Sequence, residues 1–227
     1  MPVASSAAQI RDEFDRIATL TARAGAGFAH ERWLRAHVPR TRGTLLEIGC
    51  GIGDFARMLT PSFDRVVGID FSEGMIAEAR QRTTARNIEF VCAELFTWLR
   101  DSRETYDCIV SVATLHHVDA PSALRAMAAA LKPGGTLLVL DLVERPGWRR
   151  YTPFNLFAAF VARLRDLRHA RNRAYRELRA AYEEHGRNET YLTMADVRAM
   201  AKATLPRAKV REHLLWRYSI VWTRPGG

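Results

Sequence analysis

Three glycines separated by single residues, Gly49, Gly51 and Gly53, end one apolar run. Two adjacent histidines, His116 and His117, follow another. Glycine accepts positive φ without steric cost, and its missing side chain lets a ligand approach the backbone. Glu47 lies two residues before the first glycine, and Asp70 ends the next apolar run. A carboxylate in that place can accept hydrogen bonds from the two neighbouring hydroxyls of a ribose. Glycine turn and acid together point to a nucleotide. Histidine titrates near neutrality, so His116 or His117 can carry a proton. Each feature also has an ordinary explanation. A glycine turn can simply join strand to helix, and a histidine at a strand exit can simply shape its loop.

These residues need elements to hold them. Leu45, Leu46 and Ile48 make one buried strand, and Asp54 to Leu59 a helix that Pro61 stops. Val66, Val67 and Ile69 make a second strand, with Asp70 at its carboxyl end. Ser72 is a good N-cap for a helix to about Thr83. Ile88 to Cys92 and Tyr106 to Val112 read as strands three and four. A helix over 121–131, a Pro133-Gly134-Gly135 turn and a fifth strand from Thr136 to Leu142 follow. Alternating strands and helices imply a parallel sheet with right-handed crossovers. Ligands of such sheets sit outside the carboxyl ends of the strands, where the glycine turn, Asp70, Glu94 and Ser111 all fall. Thr193, with Asp196 three residues on, caps a last helix to Leu205, and 210–215 and 218–223 read as a closing strand pair.

The spacing Glu47-x-Gly49-x-Gly51-x-Gly53 differs from the dinucleotide pattern G-x-G-x-x-G. It resembles motif I of the class I S-adenosylmethionine-dependent methyltransferases. Asp70-Phe71-Ser72-Glu73-Gly74-Met75 is similar to the family's next block, and LKPGGTLLVLDL (131–142) to its motif after the fourth strand. The resemblance covers Thr44 to Leu142. It implies an α/β, Rossmann-like seven-stranded sheet in the order 3-2-1-4-5-7-6, last strand antiparallel, with helices on both faces. It also implies S-adenosylmethionine as cofactor, leaving as S-adenosylhomocysteine. The positions matching the family's cofactor site are Glu47, Gly49, Cys50, Gly51, Gly53, Asp70, Phe71, Met75, Ala93, Glu94, Leu95, Ser111 and His116. Glu94 stands where the family more often has Asp beside the adenine amino group. The implied layout is a helical lid over 1–42, a cofactor core over 43–142, a helical insertion over 143–192 capping the substrate, and a segment over 193–227 completing the core.

Methyl transfer is an in-line displacement, in which positioning and desolvation do much of the work. A general base helps when the acceptor must lose a proton. His116 and His117 are the candidates, His116 slightly preferred, with Tyr151, Tyr182 and His185 behind them. Trp33, Tyr151, Phe154, Phe157 and Tyr182 are candidate substrate contacts, and His30 and His37 can line the lid with Trp33. No metal is expected: adjacent histidines should project differently, and Asp141 and Glu144 lack a second cluster. Cys50, Cys92 and Cys108 have no metal-ligand spacing and are expected to be free thiols.

At 227 residues and 48% hydrophobic, the chain can bury a sizeable core. No stretch approaches the roughly 20 apolar residues of a membrane span, and the first residues lack an apolar signal core, so a cytoplasmic protein is expected. The net charge is +9, and between Arg145 and Arg187 eleven arginines face four acids, so most of the excess sits there. Within that segment Thr152-Pro153 starts a helix, and Phe154, Phe157, Val161, Leu164 and Leu167 recur at helical spacing. Such a helix can bind an apolar acceptor or lie on an anionic membrane. Its bland alternative is a helical pair extending the core. A small-molecule acceptor, reacting at O, N or C, is the leading expectation. RNA methylation and an NAD-type oxidoreductase are the alternatives, and a SAM-binding protein without activity ranks below them. No Asn/Asp-Pro-Pro-Tyr tetrad follows the fourth strand, so no stable nucleic-acid partner is expected. The oligomeric state is not encoded.

Overall fold

Seven apolar runs pair into one sheet in the computed structural model, which describes residues 7–24, 31–39, 42–144, 152–169, 172–186 and 189–226. The strands are β1 (Thr44–Ile48), β2 (Arg65–Asp70), β3 (Ile88–Cys92), β4 (Tyr106–Val112), β5 (Leu131–Leu142), β6 (Lys209–His213) and β7 (Arg217–Thr223). Their order is β3-β2-β1-β4-β5-β7-β6, and β7 runs antiparallel to both neighbours. This is the order the motifs imply. Strand β5 starts earlier than expected, at Leu131. Leu131 pairs with Tyr106, and the register then shifts so that Thr136 meets Cys108. The Pro-Gly-Gly residues are thus an irregularity inside a strand rather than a turn before one.

Nine described helices surround the sheet: α1 (Ala7–Ala24), α2 (Glu31–His37), α3 (Asp54–Leu59), α4 (Glu73–Gln81), α5 (Leu95–Asp101), α6 (Ala120–Ala130), α7 (Pro153–His169), α8 (Arg173–His185) and α9 (Met194–Thr204). Successive strand residues point to opposite faces, and the core divides accordingly. Leu46, Ile48, Ile109 and Val139 join Leu124, Met127 and Val197 in one layer. Leu45, Cys108, Val110 and Leu138 join Leu34, Phe55 and Ile76 in the other. Burial on both faces explains why the central strands are apolar throughout.

A third cluster links α1 and α8 to the glycine turn. Ile17, Ala18 and Ala24 of α1 meet Leu178 and Ala181 of α8, together with Ile52 and Met75. Polar contacts fix α1 in place. Asp15 Oδ1 accepts from the Gly74 N–H at 2.9 Å and from the Ser72 hydroxyl, while Ser72 itself caps α4. Thr193 and Asp196 form the expected capping box of α9, and Asn172 caps α8.

Candidate active site

The turn after β1 carries three left-handed glycines. Gly49 sits at φ +71°, and its N–H and that of Cys50 donate to Ile69 O at 2.9 and 3.0 Å. A Cβ at Gly49 would overlap the Thr114 side chain. Gly51 differs: at φ +53° a Cβ there would meet, among the described residues, only Met75 Sδ, at 3.9 Å. The backbone is therefore bare at Gly51, and its N–H donates to Asp70 Oδ2 at 2.9 Å. The Ser72 N–H donates to Asp70 Oδ1 at 3.0 Å. Burial pushes the Asp70 carboxyl up, against these two donors. Each oxygen keeps a further lone pair for a ligand hydroxyl. Beneath the turn Glu47 is 2% exposed, and burial raises its carboxyl well above the usual range.

Other expected cofactor positions cluster at the same strand ends with varied roles. Cys50, Met75 and Leu95 are buried, and the Ala93 N–H donates to Asp70 O at 2.9 Å. Phe71 meets Phe14 of α1 edge to face at 5.5 Å. Gly53 is the N-cap residue of α3. Glu94 caps α5, accepting from the Thr97 N–H at 2.9 Å. Ser111 is fully buried in β4, paired with Ile48 and Val139.

The histidines occupy a 3-10 turn, Leu115–His117, entered through Ala113 at φ +51°. That left-handed conformation is uncommon outside glycine and tends to mark functional turns. Asp141, fully buried at the end of β5, holds His116 twice. Its Oδ2 accepts the His116 N–H at 3.0 Å, and its Oδ1 lies 2.6 Å from His116 Nδ1. A carboxylate bonded to Nδ1–H leaves the lone pair on Nε2. Asp141 is therefore not unpaired, as its isolation in the sequence implied. Strand pairing of β4 with β5 brings the two together.

The two histidines also converge, contrary to the expectation from adjacency. Their ring centroids are 3.9 Å apart because the tight turn brings them together. His117 Nδ1 lies 3.4 Å from Glu189 Oε1, and His185 Nε2 lies 3.5 Å from the same oxygen. Glu13 Oε2 sits 2.8 Å from His185 Nδ1. Phe14 meets both His117 and His185 edge to face, and Tyr191 lies beside His116. Burial, then the neighbouring His116 and His185, push His117 down to about 3. Glu13, Phe14, Glu189 and Tyr191 carry no motif that would single them out in the sequence.

The substrate candidates are scattered. Burial raises the Tyr182 phenol, against the opposing influence of the Thr21 side chain of α1, although the residue as a whole is 45% exposed. Trp33 stacks on His37 and meets His213 edge to face. Phe157 is 61% exposed on α7. His30, Tyr151 and the Phe154 side chain lie outside the described residues.

Comparison with known proteins agrees with this architecture. Residues 45–135 match the family described as methyltransferase domain. Phosphoethanolamine N-methyltransferase 1 of Triticum aestivum is 36% identical over 121 residues, 52% of this chain and 23% of that protein. Trans-aconitate 2-methyltransferase of Paracidovorax citrulli is 36% identical over 115 residues, 49% of this chain and 43% of that protein. The match thus spans less than half of either relative. A solved complex of DhpI with SAH superposes with a TM-score of 0.63 at 21% identity, covering 98% of this chain and 99% of that one. That likeness extends the shared fold across nearly the whole chain. Residues 45–135 therefore resemble a methyltransferase domain, set in a sheet whose order is the one the motifs imply.

Proposed function

We propose that the protein transfers a methyl group from S-adenosylmethionine to a small molecule whose acceptor atom must lose a proton, with His116 as the base. The observation that carries this reading is the His116–Asp141 pair at the strand ends that also hold the glycine turn. The residues fit the cofactor. The bare backbone at Gly51 gives it room, and Asp70 has lone pairs left for the ribose. Ala93, Glu94 and Leu95 are suited to the adenine end. When bound, S-adenosylmethionine supplies a methyl carbon on a sulfonium: the acceptor's lone pair forms the new bond, and the carbon–sulfur pair stays on sulfur.

The chain's own residues do the rest. Asp141 fixes the His116 ring and its tautomer, so that Nε2 can take the acceptor's proton. Helices α1 and α8 pack over the turn through Ile17, Leu178, Ile52 and Met75, and so keep water out as a lid would. His117, held neutral by burial, adds no competing charge. The exposed apolar face of α7 and the arginines around it support an apolar or lipid-like acceptor taken from an anionic membrane surface.

Calorimetry and turnover test this together. S-adenosylmethionine should bind, and NAD should not. His116→Ala should keep cofactor binding while conversion to S-adenosylhomocysteine, across a panel of small-molecule acceptors, falls by about 10²-fold or more. Binding of NAD alone would overturn the cofactor assignment. A loss below about tenfold would overturn the base and leave transfer by positioning.

A further inference from the structure

The histidine cluster holds more than proton transfer needs. Nitrogen or oxygen atoms of His116, His117 and Glu189 all lie within 4.8 Å of one another. A tetrahedral zinc with bonds of about 2.0–2.1 Å places its ligand atoms about 3.4 Å apart. The 3.4 Å between His117 Nδ1 and Glu189 Oε1 already meets that spacing. Two of the nitrogens also lack a hydrogen-bond partner among the described residues: His117 Nδ1 and His185 Nε2 are buried, and both face the same Glu189 oxygen. Unpartnered buried nitrogens around one carboxylate are costly unless something binds between them.

The outer contacts suit a metal as well. Asp141 holds His116 by Nδ1, and Glu13 holds His185 by Nδ1, so each presents its Nε2 lone pair. Carboxylates behind ligand histidines are the usual support of zinc sites. Imidazole nitrogens with one carboxylate select a borderline-soft divalent ion rather than Mg²⁺ or Ca²⁺.

We propose that His116, His117 and Glu189 bind one divalent cation of the zinc class, with His185 Nε2 beside them as a fourth donor, and that occupancy withholds His116 from proton transfer. The second half rests on His116 being the base, because one lone pair cannot serve both metal and proton. The site would then be inhibitory, with methyl transfer proceeding in the metal-free protein.

The test uses untagged full-length protein stripped with a chelator. Zinc titration by calorimetry should show one equivalent bound, and cobalt substitution should give the visible absorption of a four-coordinate ion. Glu189→Gln should weaken zinc binding by at least about tenfold, judged against the cost of losing even an outer contact of a metal site. The same variant should retain metal-free turnover and lose its inhibition by zinc. Weak binding in the wild type, or equal binding in Glu189→Gln, would overturn the site. Tight binding with unchanged or raised turnover would overturn the inhibitory role. The calorimetric arm needs no acceptor, so failure of the site is separable from failure of the methyl-transfer assignment.

Discussion

Glu47 costs stability where it stands. It is 2% exposed, and its Oε2 is buried without a hydrogen-bond partner among the described residues. Burial is the largest influence raising its carboxyl, and the charges of Asp70 and Asp54 add to it. A hydrogen bond with the Ala56 backbone and the charge of Arg57 oppose the rise without cancelling it. An acid whose native pKa exceeds its unfolded value keeps a proton that the unfolded chain releases. Its contribution is full below the unfolded value and is lost as pH rises through the native one, at up to about 1.4 kcal/mol per pH unit. Glu47→Gln should therefore flatten the fall in stability from pH 5 to pH 8, and the variant should gain on the wild type as pH rises. Denaturation midpoints across that range measure it, and parallel curves would show that Glu47 is not the source.

At the scale of elements, one carboxylate ties α1 to the start of α4. Asp15 of α1 accepts from the Gly74 N–H at 2.9 Å and from the Ser72 hydroxyl, at the start of α4. Negative charge at a helix N-terminus is favourable for both its free N–H groups and its dipole. Asp15→Ala should free α1 without unfolding the sheet, whose two core layers include no α1 residue among those described. Hydrogen exchange should rise in α1 and α8 and stay unchanged in β1 and β4, and cofactor affinity should drop. Uniform exchange across the chain would show instead that α1 supports the whole fold. The glycine turn and the caps of α4 and α9 were legible from sequence, because each rests on neighbouring residues; the strand order followed only from the resemblance that the motifs carry. The partnership of His116 with Asp141 was not, since it arises only when β4 pairs with β5, 25 residues apart. Glu189 was less legible still. It belongs to no helix or strand and meets His117 only through tertiary packing.

For the whole molecule, the remaining question is what α7 touches. Leu156, Phe157, Phe160, Val161, Leu164 and Leu167 are between 44% and 61% exposed, and their spacing puts them on one side of the helix. No described helix is long and apolar enough to cross a membrane. A helix of this kind can instead lie in the interface, its apolar side among the acyl chains. The charge agrees with that placement, because most of the net +9 falls between Arg145 and Arg187, the segment that contains α7. Near an anionic leaflet each arginine contributes about 1 kcal/mol, and each fully buried Leu or Phe about 1.5–3 kcal/mol. Even partial insertion of a few side chains would then hold the protein at a surface. Co-sedimentation should show binding to vesicles containing phosphatidylserine, weaker at physiological salt than at low salt, and little binding to neutral vesicles. Phe157→Glu with Phe160→Glu should abolish it while leaving cofactor binding intact, since neither side chain joins the core. If the wild type stays in solution even at low salt, the membrane assignment fails. If the double variant still binds, arginine charge alone drives the contact and α7 does not insert.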